Sequence, residues 1–279
     1  MPIYWRTVRI RTLLTTAAVS AALVAGGVAG PASAADVAVQ TVINVGTTAV
    51  TYPTYTDNAL VPISTNAGDN SLLTTYVVAN GVTFKGSYVR RDAAGNGSLD
   101  VADQIAYAAY QYKEVPAGTY TVYVGFDAPF TDYDFSTSPS TKYNYTAATS
   151  APITVTVTKL ATDITGWKTK TKTVKYKKTT KVSNPTLVNF GTDTKLVVQY
   201  RKGAKGKWKT VYGGEIPLYS STPSAQKIEF KKFNTIYKPA KKAKNTKFLT
   251  RGKWYIRLVI PESATVTGKT TKAIKIVVK

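Results

Sequence analysis

Hydrophobic positions along most of this chain recur with a period of two, the spacing at which alternate side chains of a strand share one face. Leu72–Ala79 and Val82–Arg90 flank Asn80-Gly81, two residues that tolerate positive φ, so the stretch predicts a hairpin with a tight turn. Tyr107–Val115 and Tyr120–Phe126 flank Pro116-Ala117-Gly118-Thr119 and predict a second strand–turn–strand, and Ala151–Thr158 alternates β-branched residues. Further on, Lys195–Arg201 and Trp208–Tyr212 flank a Gly203-Ala204-Lys205-Gly206 turn. Lys253–Ile260 and Lys272–Val278 are period-two runs, the first placing Trp254, Ile256, Leu258 and Ile260 on one face. Beyond residue 34 no long apolar period of 3.6 appears, so no long helix is expected. Short strands every ten residues or so, with turn chemistry between them, predict an all-β protein of two β-sandwiches in tandem.

The first 34 residues follow a different pattern. Arg6, Arg9 and Arg11 precede an uncharged run from Leu13 to Gly30, and Ala32-Ser33-Ala34 supplies a small-x-small site. These are the parts of an export signal, with cleavage expected after Ala34. The competing reading, an uncleaved membrane anchor, suits the run less well because Gly, Ala and Thr make it weakly hydrophobic for its length. No later stretch approaches a membrane span, so the mature protein is expected to be secreted, without a transmembrane segment, and retained at the cell wall non-covalently if at all.

Composition removes whole classes of chemistry. The 279 residues include no Cys and no His. That excludes thiol and imidazole catalysis, His- or Cys-ligated metals and disulfides, so each fold must rest on its core alone. Charge divides the chain near Thr158/Lys159. Residues 35–158 carry 5 basic and 10 acidic side chains, whereas 159–279 carry 29 basic and 5 acidic. The split predicts three segments: the signal at 1–34, an acidic Tyr-rich sandwich at 35–158 and a Lys-rich one at 159–279.

The second half holds Thr165-Gly166-Trp167-Lys168, Gln199-Tyr200-Arg201-Lys202 followed by Gly206-Lys207-Trp208-Lys209, Gly252-Lys253-Trp254-Tyr255-Ile256-Arg257, and Pro261-Glu262-Ser263-Ala264 before Gly268. These segments resemble the immunoglobulin-like (Ig-like) modules of exported actinobacterial cell-surface proteins and hydrolases. The resemblance implies a non-catalytic β-sandwich and transfers no catalytic residue. The first half is similar, more loosely, to bacterial Ig-like or prealbumin-like surface modules, through Val115-Pro116-Ala117-Gly118-Thr119-Tyr120-Thr121-Val122. There the glycine would supply the turn and the tyrosine pack the corner.

Three features carry candidate chemistry. Asp92 to Asp103 follows the spacing of an EF-hand-type loop. Asp92, Asn96, Ser98, Asp100 and Asp103 stand at ligand positions and Gly97 at the sharp turn, while Ala94 stands where a ligand belongs. The pattern predicts weak Ca2+ binding, with no cofactor required; the alternative is a polar Gly-rich loop whose Asp residues serve turn geometry. Lysines form two runs, Lys168, Lys170, Lys172, Lys175, Lys177 and Lys178, then Lys231, Lys232, Lys241, Lys242 and Lys244. Lysine is a hydrated point charge suited to diffuse attraction. The expected partners are anionic cell-wall polymers or acidic glycans, against the alternative of a merely solvated surface. Tyr176, Trp208, Tyr237 and Trp254 stand among these lysines, and an extracellular nucleic-acid binder is the reading they would serve if exposed in one groove. Twelve tyrosines in the first half, with a polar aromatic loop over Tyr133–Tyr145, offer a surface for a protein partner if exposed and core if buried. Glu114, Glu215, Glu229 and Glu262 are the only glutamates, and none sits in a motif with a second carboxylate. A non-catalytic protein is therefore expected, with a carboxylate-dependent glycan hydrolase as the alternative.

Overall fold

The computed structural model describes residues 36–279 except 57, 68–71, 137, 177–181, 192–193, 218–223 and 228–249. The export signal, Lys177 and Lys178, Tyr237, and the whole second lysine run lie outside the described residues. The first half contains β1 (Asp36–Val39), β2 (Ile43–Val45), β3 (Ala49–Pro53), β4 (Leu60–Thr65), β5 (Leu73–Ala79), β6 (Val82–Val89) and β7 (Asn96–Asp100). It continues through α1 (Val101–Tyr110), β8 (Gly118–Phe126), β9 (Phe130–Asp134), β10 (Thr141–Tyr145), β11 (Ala148–Thr149) and β12 (Ile153–Thr158). The second half contains β13 (Asp163–Thr165), β14 (Lys172–Val174), β15 (Thr186–Phe190), β16 (Lys195–Lys202), β17 (Lys209–Pro217), β18 (Ser224–Lys227), β19 (Gly252–Ile260), β20 (Lys269–Thr270) and β21 (Ile274–Val278). The class is all-β, as the alternation predicts.

Both halves share one topology. In the first, a three-stranded sheet β2-β4-β7 faces a sheet ordered β3-β12-β8-β5-β6, with β11 appended to β8. In the second, β13-β15-β18 faces β14-β21-β19-β16-β17, with β20 appended to β19. An early edge strand pairs parallel with the last strand in each case, β3 with β12 and β14 with β21. Three strands against a larger sheet, joined by Greek-key crossings, is an Ig-like sandwich. The interiors follow from the alternation. Val122, Val124, Ile153 and Val155 enter one hydrophobic cluster with Leu73, Val77 and Ile105. Leu196, Val198, Ile256, Leu258, Ile260, Ile274 and Ile276 enter the other. A third small sheet, β1-β10-β9, decorates the first half.

Local chemistry explains the turns. Asn80 and Gly81 have φ of 51° and 77°, the two left-handed residues that close the β5–β6 hairpin as expected. Tyr120, at the start of β8, donates from its hydroxyl to the Pro116 carbonyl at 2.8 Å and meets the Tyr110 hydroxyl at 3.0 Å. This is the corner tyrosine that the Pro-x-Gly-x-Tyr segment predicts.

Two local expectations are corrected. Residues 107–115 do not form a strand, because α1 occupies Val101–Tyr110. Asp100 caps it, its Oδ1 accepting from Ala102 N at 3.1 Å and Asp103 N at 3.2 Å. Val101, Ala102, Gln104 and Ile105 form its buried face. Gln104 fastens the helix to β6 by accepting from Ser87 N at 2.9 Å and donating to Ser87 Oγ at 2.6 Å. Gly86 leaves the room, since a Cβ there would stand 2.6 Å from Gln104 Oε1. The stretch Tyr133–Tyr145 is likewise no loop but largely the β9–β10 hairpin, with Tyr145 paired to Phe130. Tyr145 is buried and stacks on Phe130 at 4.9 Å, whereas Tyr133 and Phe135 stack on each other in the open, Phe135 being 81% exposed.

The halves meet through a short junction. Thr54 donates from Oγ1 to the Thr265 carbonyl at 2.6 Å, and the same carbonyl accepts from Leu160 N at 2.8 Å. Ala117 N donates to the Ala264 carbonyl at 2.9 Å, Tyr55 Oη to Thr265 Oγ1 at 3.2 Å, and Lys159 pairs with Glu262. The Pro261-Glu262-Ser263-Ala264-Thr265 turn is thus the docking element. Its own shape is held by Ser263 Oγ, which accepts from Thr265 N and Val266 N at 3.2 and 3.1 Å.

Candidate functional site

The residues aligned to calcium-ligand positions take up two separate structural duties. Asp92 Oδ1 accepts from Ala94 N at 3.0 Å and Asn96 N at 2.8 Å, and Gly95, with φ 79°, makes the sharp turn. Gly97, placed at the turn by spacing, lies instead within β7 opposite Ile63, where a Cβ would stand 2.6 Å from the Arg90 carbonyl. Asn96, Ser98 and Asp100 share one side of that extended strand, so the first and last are separated by roughly 13 Å. Asp100 Oδ1 accepts from Ala59 N at 3.0 Å as well as from the two helix amides. Asp103 sits in the first turn of α1, its pKa raised by burial and by Asp100. The structure therefore does not gather these five residues around one point, and among the described residues no three acidic side chains are grouped to hold a metal ion.

Of the first lysine run, Lys168, Lys170 and Lys175 are exposed and Lys172 is half-buried on the edge strand β14. Tyr176 is exposed beside them, with the Arg251 guanidinium 6.0 Å from its ring. In this half Lys269 pairs with Asp163 at 3.0 Å, and Lys159 with Glu262 across the junction.

The aromatic residues of the second half divide by sheet face. Trp254 and Tyr200 pack against the core, Trp254 donating from Nε1 to the Thr250 carbonyl at 2.7 Å. Trp208 and Tyr255 belong to the opposite, outward face of β16 and β19. There Gln199 is in register with Arg257 and Arg201 with Tyr255. The Arg257 guanidinium lies 4.1 Å and that of Arg201 4.6 Å from the Trp208 ring centroid, with Arg201 also 5.3 Å from Tyr255. Arg257 Nε and Nη2 both donate to Gln199 Oε1, at 3.0 and 2.8 Å. All five side chains are half-buried. Burial, then the charge of Arg201, lowers the Arg257 pKa. Sequence reasoning treats Arg201, Trp208 and Arg257 as separate residues. The recoverable signal is alternation, which sets Arg257 on the face opposite Ile256 and Leu258.

Several of the described carboxylates have partners of their own. Glu262 pairs with Lys159, Asp163 with Lys269, and Asp134 Oδ1 accepts from Ser136 N and Oγ at 2.8 and 2.6 Å. No described helix is long and apolar enough to cross a membrane.

The fold thus defines an Ig-like β-sandwich protein. No protein-family model matches the chain, and no curated protein matches it. Among solved structures, it is similar to the FN1–FN3 domains of chicken CNTN1 at 8% identity and TM-score 0.22, covering 79% of this chain and 62% of that one. The three N-terminal domains of the outer capsid protein Hoc of bacteriophage RB49 match at 10% identity and TM-score 0.22, covering 86% and 70%. Part of a 1.5-MDa bacterial ice-binding adhesin, from a structure concerned with its host cell surface retention, matches at 13% identity and TM-score 0.25, covering 86% and 65%. The chain spans less than two thirds of the first and third of these.

Proposed function

We propose that this is an exported, non-catalytic binding protein of a Gram-positive cell envelope. Its Lys-rich second half holds it electrostatically to anionic wall polymers, and its acidic first half presents a hairpin surface to a protein or glycan partner. The observation that carries this reading is the charge division, 29 basic against 5 acidic side chains in residues 159–279. A field of that sign raises the local concentration of polyanions without choosing among them. An exported protein meets teichoic and teichuronic acids before it meets nucleic acid. The structural duties of the described carboxylates support a non-catalytic role over a paired-carboxylate hydrolase.

The test is co-sedimentation of the whole chain with purified Gram-positive walls across a salt series. Attraction between exposed charges is screened over about 8 Å at physiological ionic strength, so retention falls steeply with salt. Stripping teichoic acid releases the protein, and K168Q/K170Q/K175Q shifts release to lower salt. Retention indifferent to salt and to polymer removal overturns the reading.

A further inference from the structure

We propose that the outward face of β16 and β19 is a binding site for a carboxylate-bearing glycan, with Arg201 and Arg257 as the groups that read its acid functions. This rests on the reading of the second half as an anion-attracting module and names, within it, a defined site and ligand class.

Two like charges are held side by side on this face. Both guanidiniums lie over one indole, an arrangement with a Coulombic cost that the ring's negative face offsets only in part. The ion pairs of the second half's described residues, Lys159–Glu262 and Lys269–Asp163, lie elsewhere. Among the described residues no carboxylate pairs with either guanidinium, and an anionic ligand would supply that countercharge.

Geometry narrows that anion. A guanidinium in contact with an aromatic ring keeps N–H donors for hydrogen bonds in its own plane. Arg257 spends one edge on Gln199 Oε1, which fixes the plane, and its Nη1 edge lies outside that interaction. Arg201 Nε is buried without a hydrogen-bond partner, so no side-chain bond fixes this guanidinium as Gln199 fixes Arg257. A planar fork matches a planar carboxylate through two parallel bonds. The half-buried Trp208 and Tyr255 rings flanking the cations give the apolar surface that a sugar ring's C–H faces require, which a polyol phosphate chain lacks. The lysines, as mobile point charges, would draw in any polyanion; the arginine pair would select the uronate.

The experiment uses the whole chain, with oligo-uronate, inorganic polyphosphate and neutral dextran as probes. Affinity is read by calorimetry and by tryptophan fluorescence, and W208F identifies the responding indole. The double variant R201K/R257K keeps both charges and loses both forks. It is expected to lower oligo-uronate affinity at least about tenfold, the size of a lost charge-assisted pair, while polyphosphate binding and wall retention change less than about twofold. Should the double variant fold poorly, Q199A serves instead, freeing the Arg257 plane without touching either cation, with a smaller loss in the same direction.

Oligo-uronate affinity unchanged in the double variant overturns the proposal, as does an equal loss for uronate and polyphosphate. A cation–π ladder that only stiffened the sheet would lower the unfolding temperature and leave uronate affinity per folded molecule intact, which also overturns it. Wall retention with no uronate binding by the parent protein refutes this site and leaves the envelope reading standing. Arginine-dependent uronate binding without wall retention does the reverse.

Discussion

Replacing Gly191 with alanine would drive a methyl group into the ring of Tyr55. An ideal Cβ on Gly191 would stand 2.5 Å from Tyr55 Oη and closer still to Cζ and Cε2. Unstrained carbon–carbon contacts are about 3.5–4.0 Å, so one partner must retreat by more than an ångström. Tyr55 is poorly placed to do so. Its hydroxyl donates to Thr265 Oγ1 at 3.2 Å, and its own φ of 66° lies in a region that few non-glycine residues occupy. Gly191 is held from its other side, its N–H donating to Thr194 Oγ1 at 3.0 Å and its carbonyl accepting from Thr194 N at 3.1 Å. Overpacking of this kind costs about 1–3 kcal/mol, and losing the tyrosine hydrogen bond adds about 1 kcal/mol, so G191A should destabilise by roughly 2–4 kcal/mol.

The assay is urea unfolding of the whole chain, followed by fluorescence and circular dichroism, in a double-mutant cycle. Y55A removes the ring, so G191A in that background should change stability by less than about 0.5 kcal/mol. The coupling between the two sites then equals nearly the whole cost of the single glycine change. Gly118, where the nearest atom to a Cβ is the Tyr120 hydroxyl at 3.8 Å, is the control, and G118A should be close to neutral. Additive losses for Y55A and G191A, or a G191A protein as stable as its parent, would refute the placement of Tyr55 on Gly191 and with it this account of the junction.

Asp100→Ala removes the acceptor shared by Ala59, Ala102 and Asp103 amides and should cost about 1–2 kcal/mol with some loss of helical signal, measured by chemical unfolding and far-ultraviolet circular dichroism. Tyr120→Phe strips the corner of its bonds to Pro116 and Tyr110 and should cost about 1 kcal/mol by the same measurement, whereas Tyr133→Phe, on an exposed ring, should cost almost nothing. The Lys159 and Lys269 ammonium groups hold the Glu262 and Asp163 carboxyls below their ordinary values of 4.5 and 3.8. The unfolded chain therefore takes up these protons first as pH falls, so stability is level above the ordinary carboxylate range and declines through it toward the lower folded values. E262Q should decline less steeply there in a pH series of unfolding midpoints; an identical slope would show that the junction pair contributes nothing.

What the sequence made legible is whatever a residue decides for itself or with close neighbours. Asn80-Gly81 declares its hairpin because both residues accept positive φ, and the run from Trp254 to Ile260 declares its buried face through alternation alone. The helix was hidden because Tyr107, Tyr110 and Tyr112 mimic a strand and its ten residues give the 3.6 period little room. Its capping signal was present in Asp100 followed by Asp103. Asp92–Asp103 invited a wrapped-loop reading because spacing cannot tell which glycine turns. Gly95 turns and Gly97 pairs, and the choice is made by β4, some 30 residues away, through register with β7. The arginine–tryptophan face was illegible for the same reason. Arg201 and Arg257 become neighbours only when β16 and β19 pair, and no local pattern encodes that register.

The shared topology gives the cationic face its meaning, because the first half supplies an internal comparison. Strands β5 and β8 occupy there the places that β16 and β19 occupy in the second half. Val77 and Val122 point into the first core, so alternation sets Tyr76 and Tyr123 on the outward face. They are in register and stack at 5.0 Å with an interplanar angle of 15°. Lys85, in register with Tyr76 on β6, is neutralised by Asp127 at 3.0 Å. That face carries an aromatic stack and an ion pair, and its one described lysine has a carboxylate partner. On the equivalent face of the second half, one aromatic ring carries two guanidiniums, and Gln199 accepts hydrogen bonds from just one of them. A sandwich needs only the inward residues of these strands for its core, so the outward residues are free to differ. In one half they pair a cation with a carboxylate, and in the other they leave an excess of positive charge on a rigid two-strand support, the arrangement expected of a surface whose acidic complement arrives from outside.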